Sequence, residues 1–119
     1  MTSFSRGDVV LVRFPNSDLV TYKKRPALVV QADGLDTGLP QVIVALITSN
    51  TSRSGHPSRI TVDPATKTGS LTGLQAISVI VTDNLSTVRF AFIDRSIGRL
   101  HDTSQLDAAL ATTFGLKLL

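Results

Sequence analysis

The chain has 119 residues and a mass of 12.7 kDa, room for one domain with one core and nothing more. Its 42% apolar content excludes a disordered chain, no stretch approaches the ~20 apolar residues of a membrane span, and the absence of cysteine removes disulfides, thiol nucleophiles and cysteine-ligated metals. A net charge of +3, with every acidic residue an Asp, only mildly favours a polyanionic partner; Arg6, Asp8 and Arg13 stand where an export signal needs apolar residues, so a cytoplasmic protein is expected.

Val, Ile and Thr dominate, and branched β-carbons suit a pleated sheet better than a helix. The run Val9 to Phe14, closed by Pro15-Asn16, predicts a first strand. Arg25 to Gln31 predicts a second, with Pro26 at its start or on an edge, since proline has no ladder donor. Between them lies a largely polar loop of about ten residues, long for a hairpin and therefore a candidate for function. Gln41 to Ser49, containing the apolar run Val42 to Ile47, predicts the most buried strand. The segment Arg53-Ser54-Gly55-His56-Pro57 breaks the pattern, and Ser58 to Val62 then alternates as a half-buried strand should. Asp63 to Gly73 is turn-rich. Ile77 to Thr82 reads as a strand, Asp83-Asn84 as a bend, and Leu85 to Val88 as a short extension. A helical turn is expected from Ile93, followed by a short strand over Ile97 to Leu100. Only the C-terminus reads as a full helix, with Thr103 or Ser104 as cap, Leu106, Ala109, Leu110, Thr113 and Phe114 on one face, and Gly115 as the stop.

Roughly seven short strands and one terminal helix describe a mostly β domain over residues 1–119, either a small bent barrel or a two-sheet sandwich. Periodicity does not choose between them. Two isolated histidines are too few for an obvious zinc site, no glycine-rich loop precedes a helix, and no nucleophile elbow is present. What remains is Arg, Thr, Ser and Asp at strand ends. Such residues suit phosphoryl chemistry in which the substrate brings its own nucleophile, as the RNA 2′-OH does. Arginine, always charged and planar, can then steady the charge on the phosphorane oxygens.

The stretches Arg6-Gly7-Asp8-Val9-Val10-Leu11-Val12, Phe14-Pro15-Asn16-Ser17-Asp18-Leu19 and Lys24-Arg25-Pro26-Ala27-Leu28-Val29-Val30 resemble the opening of MazF/PemK-type toxins of toxin–antitoxin systems. The similarity continues through Val44 to Ser49, Pro57 to Ile60, Ser78 to Val88 and Ile97 to Leu100, in the same order and spacing over nearly the whole chain. The resemblance implies an SH3-like barrel with a C-terminal helix, homodimeric, that cuts single-stranded RNA without metal or cofactor and leaves a 2′,3′-cyclic phosphate and a 5′-hydroxyl. It also implies a MazE-like antitoxin partner whose flexible tail covers the RNA groove. The family's catalytic Arg falls on Arg25 and its Thr on Thr48, and Asp83 matches an acidic position that some members use as base. RNA contact is expected from Ser17, Asp18, Lys23 and Lys24 in the first loop and from Ser49, Asn50, Arg53, His56 and Arg59 around the next, with Tyr22 as a possible stacking platform. Many relatives have His where this chain has Arg59, and Arg where it has Ser86 or Val81. Two other readings stay open on the same scaffold: a non-catalytic inhibitor of DNA gyrase, and a nucleic-acid-binding barrel that does not cleave.

Overall fold

The computed structural model describes residues 4–118. Six strands form one antiparallel sheet: β1 (Asp8–Pro15), β2 (Tyr22–Val29), β3 (Gln41–Thr48), β4 (Arg59–Val62), β5 (Ser78–Arg89) and β6 (Ile93–Arg99). They lie in the order β4-β5-β3-β2-β1-β6. A short helix, α1 (Lys67–Ser70), follows β4, and α2 (Ser104–Phe114) ends the fold.

Where length suggested a single core, the curled sheet has one on each face, and the central strands are therefore apolar on both sides. One face gathers Val9, Leu28, Ala45, Ile47, Ile60 and Ile80 beneath Leu106 and Ala109 of α2. The other gathers Val10, Val12, Ala27, Val29, Val42 and Val44 under Phe4, Phe14, Val88 and Phe90. Neighbouring residues of β3 therefore enter different cores, and the run Val42 to Ile47 is explained without a helix.

Where seven strands were expected there are six, because Asp83-Asn84 is not a turn. Pairing of β5 with β3 jumps from Ala45↔Leu85 to Leu46↔Val81, so Thr82, Asp83 and Asn84 form an irregularity within one continuous strand. Thr82 secures it: its buried hydroxyl lies 2.5 Å from the Ser58 carbonyl and 2.8 Å from Thr113 Oγ1 of α2. Beyond the irregularity, Ser78 to Val81 pair with β4 as well as β3, which carries the sheet round its bend.

The helical turn expected from Ile93 lies earlier, as a 3-10 turn over Phe90–Phe92, and Ile93 to Arg99 is strand throughout. The free edge of β1 claims it, pairing Val12 with Ile93 and Leu11 with Arg95 across two register shifts. On its other side β6 meets the segment after α1, where Arg99 N–H donates to the Leu71 carbonyl at 2.8 Å. That approach requires two glycines. A Cβ on Gly98 would lie 2.3 Å from the Thr72 carbonyl carbon, and one on Gly73 would lie 2.1 Å from the Ile97 oxygen.

The terminal helix starts and stops as expected, with two changes. Thr103 is the N-cap, as expected, but its side chain makes no capping bond, and Asp102 instead accepts from the Ser104 N–H and hydroxyl at 3.0 and 2.5 Å. Phe114 is exposed rather than buried, and Ala111 is buried with Leu106 and Ala109. Gly115 closes the helix at φ 67°. No helix among the described residues is long and apolar enough to cross a membrane.

Candidate active site

Pairing of β2 with β3 ends at Ala27↔Leu46, immediately beside Pro26, whose nitrogen has no proton to donate. Extending that register would set Arg25 opposite Thr48 on the face shared with Ala27 and Leu46. Instead the strands part, while β2 stays paired with β1 as far as Tyr22. The opening is a groove of about 600 Å³ with Arg25 and Thr48 in its lining. Lys23, Lys24, Ser49 and Arg53 line it too, and the segment Gly73 to Ala76 with Ser78 supplies the opposite wall. No carboxylate is among its lining residues.

Arg25 is exposed and forms none of the ion pairs found among the described residues. Asp18 and Asp94 are each engaged elsewhere, and neither forms an ion pair with Arg25. Asp18 holds the β1–β2 turn, accepting from Val20 and Thr21 N–H at 2.9 and 3.0 Å and from the Thr21 hydroxyl at 2.9 Å. The backbone bond from Thr21 is the main reason its carboxyl sits below the usual range. Lys24 leans on Asp94 at 3.3 Å, and this hydrogen bond is the largest cause of the lowered Asp94 pKa. The Thr48 hydroxyl oxygen accepts the Asn50 N–H at 3.1 Å, which leaves its own proton available to a ligand in the groove.

A second cluster stands behind the groove, between β4 and the β5 irregularity. Arg59 donates to Asp83 through Nε at 3.3 Å and Nη2 at 3.2 Å, and to the Arg53 carbonyl through Nη1 at 3.0 Å. The hydrogen bonds from Arg59 are the largest cause of a lowered Asp83 pKa. Ser58, buried, joins His56 Nδ1 at 2.7 Å to Asp83 Oδ1 at 3.2 Å. Asn50 caps the 3-10 turn Thr51–Arg53, its Oδ1 accepting from Ser52 N–H at 3.1 Å. The loop from Asn50 to Arg59 is thus fastened at both ends.

Of the residues singled out from sequence, the fold brings Lys23, Lys24, Arg25, Thr48, Ser49 and Arg53 to one groove. Asp83, His56 and Arg59 form the adjoining cluster, while Ser17 and Asp18 lie in the β1–β2 turn outside the groove lining. That turn spans only residues 16–21, shorter than the sequence suggests, because Tyr22, Lys23 and Lys24 continue β2 opposite Pro15, Phe14 and Arg13. Sequence reasoning missed Gln75, Ala76 and Ser78 as a wall of the groove; the only signal was Gly73 in a turn-rich stretch, whose φ of 75° admits the close packing on β6. Among the described residues, no group of three or more His, Asp, Glu or Cys is arranged to hold a metal ion.

Residues 5–114 match the family of PemK-like, MazF-like toxins of type II toxin–antitoxin systems. A probable endoribonuclease MazF of Mycolicibacterium smegmatis is 32% identical over 98 residues, covering 81% of this chain and 84% of that protein. Among solved structures, the Mycobacterium tuberculosis toxin MazF-mt6 superposes with a TM-score of 0.69 at 27% identity, over 93% of this chain and 99% of that one. A MazE–MazF structure from Deinococcus radiodurans, at 14% identity, shares the fold with a TM-score of 0.72 over 98% of this chain and 100% of that one. The curled sheet is therefore the MazF barrel, as the sequence resemblance implied, and the chain belongs to the PemK-like, MazF-like toxins of type II toxin–antitoxin systems, with an endoribonuclease among its homologues.

Proposed function

We propose that this toxin cuts single-stranded RNA in the cytoplasm without a metal ion, using the substrate's own 2′-OH as nucleophile. Attack of that oxygen on the adjacent phosphorus, its proton passing to solvent water, breaks the bond to the 5′-oxygen, which takes up a proton from water, leaving a 2′,3′-cyclic phosphate and a 5′-hydroxyl. One observation carries this: Arg25, exposed and without an ion-pair partner among the described residues, lines an open cationic groove together with Thr48. The Arg25 guanidinium stabilises charge on the phosphorane, and the Thr48 hydroxyl, held by Asn50 N–H, orients the phosphate. Lys23, Lys24 and Arg53 draw in the RNA backbone, and Ser49 meets exposed base edges, with Asn50 next to it contributing from outside the groove lining. Asp83 acts as a positioning residue: both its oxygens face Arg59, which in turn holds the Arg53 carbonyl. Working as a homodimer, the protein is restrained by a MazE-like antitoxin; the Deinococcus relative was solved with such a partner.

Incubated with long single-stranded RNA in EDTA, the protein yields discrete fragments whose 5′ ends accept phosphate from a kinase. Arg25→Ala slows this by about 10²–10³-fold, while the melting temperature hardly moves, because the side chain is exposed and unpaired. Intact RNA at high protein concentration refutes the proposal. Steeply salt-dependent binding without cleavage would then select a plain nucleic-acid binder. Co-purification with gyrase, indifferent to Arg25→Ala, would select the non-catalytic inhibitor.

A further inference from the structure

We infer that the protein carries a nucleobase pocket, separate from the Arg25–Thr48 groove, in which one unpaired RNA base stacks on the exposed Tyr22–Phe92 pair while Arg89 meets its phosphate. The ligand class rests on the ribonuclease reading above; the pocket itself rests on geometry. Tyr22 is 54% exposed and Phe92 40%, with ring centroids 6.5 Å apart and planes tilted by 36°. The hollow they border holds about 380 Å³ over a floor that includes Val12, Phe14 and Val88, within the size range of small-ligand sites. The two rings pack against each other and still leave apolar surface open to water at one spot, which marks an interaction surface rather than a core.

Charge names the occupant. Arg13 and Arg89 are the charged residues of this lining, and it includes no carboxylate. Arg13 is tied to the Ala91 carbonyl, whereas Arg89 has no ion-pair partner among the described residues. Aromatic faces beside an unneutralised guanidinium are what a single-stranded nucleic acid requires, since every base offers a π-face and every link a phosphate.

Continuity places the pocket on the strand's path. Arg25 and Leu46 border both the Arg25–Thr48 groove and a second hollow of about 290 Å³, which Asn84 and Ser86 also line. Phe14 borders both that second hollow and the aromatic pocket. Shared lining residues thus link the three hollows in series, from Arg25 through Phe14 to Tyr22 and Phe92. Tyr22 precedes Arg25 on β2, about 10 Å away along the strand, a distance that a short run of extended nucleotides spans.

The protein supplies its own reporter, because it has one tyrosine and no tryptophan. A short 2′-O-methyl oligouridylate, which cannot attack its own phosphate, is titrated against the full chain while tyrosine emission is followed. Saturable quenching is expected, and Phe92→Leu and Arg89→Gln each weaken binding by about tenfold without lowering the melting temperature. Lys67→Gln, which removes equal charge on α1 outside the lining of these hollows, is the control and leaves the affinity near wild type. RNA that is cleaved normally and bound equally well by the wild type and both pocket variants overturns the pocket and leaves the nuclease reading standing. Quenching that Phe92→Leu weakens, with no cleavage of unmodified RNA, keeps the pocket and overturns the nuclease. Concentration-dependent self-association that Phe92→Leu abolishes, with RNA affinity unchanged, makes the patch an interface between copies and also overturns the pocket.

Discussion

Replacing Asp83 by asparagine separates a catalytic base from a positioning residue, because the two roles differ in magnitude. The substitution keeps an acceptor for the Ser58 hydroxyl, 3.2 Å from Oδ1, and removes the charge facing Arg59. That ion pair is partly open to water, with 25% of the Arg59 side chain and 43% of the Asp83 side chain exposed. Solvent screening limits its worth to about 0.5–1 kcal/mol. A loss of that size lowers the melting temperature by a few degrees in a domain of this length. The Arg53 carbonyl then loses a well-held donor, the loop it belongs to loosens, and RNA binding weakens before chemistry does. The expected result is a raised KM with kcat reduced by less than about tenfold. Removal of a true general base would instead cost about 10²–10⁴-fold in rate. The pH dependence gives a second reading. Asp83 has a lowered pKa, chiefly from the Arg59 hydrogen bonds, so it is ionised throughout the neutral range and contributes no limb there to the rate profile. Single-turnover cleavage across pH, beside a thermal melt, decides the matter. A kcat collapse beyond about 10²-fold with unchanged melting, or the loss of an acid limb from the pH–rate profile, would refute the positioning role.

Gly98→Ala forces a Cβ to within 2.3 Å of the Thr72 carbonyl carbon, and the backbone on either side cannot yield cheaply. A loss of about 2–3 kcal/mol is expected, visible as a lower midpoint in urea, and an unchanged midpoint would refute the packing described between β6 and the Leu71–Gly73 segment. Acid stability follows from the carboxylates. Asp18, Asp83, Asp94 and Asp102 all have lowered pKa values, held down first by bonds from Thr21 N–H, Arg59, Lys24 and the Ser104 hydroxyl respectively. A group whose folded pKa lies below its unfolded value adds stability above the unfolded value and loses it as pH falls through the folded one. The melting temperature should therefore stay level from neutrality to about pH 5 and fall below about pH 4, and a fall beginning near pH 6 would contradict these assignments.

The amino-acid sequence by itself determined the composition of the fold. Branched residues in short runs require strands, the Leu106-Ala109 spacing with Gly115 beyond it requires a terminal helix, and the ordered blocks from Arg6 to Leu100 point to the toxin family. Each of these is a local property, carried by neighbouring residues and therefore readable in one dimension. Tertiary structure decided what the strands do to one another. Asp83-Asn84 has the composition of a turn, yet the Thr82 hydroxyl finds the Ser58 carbonyl and Thr113, and the chain runs on as one strand. Asp94-Arg95-Ser96 lacks a strand-like pattern, yet the unpaired edge of β1 recruits it. The site divides in the same way. Arg25 and Thr48 were legible through the resemblance, but their shared groove exists because β2 and β3 separate beside Pro26, and the Arg59–Asp83 clasp joins residues far apart in the chain. Pairings of that kind depend on which backbone groups and charges are left unsatisfied once the sheet has curled, and no stretch of sequence states that alone.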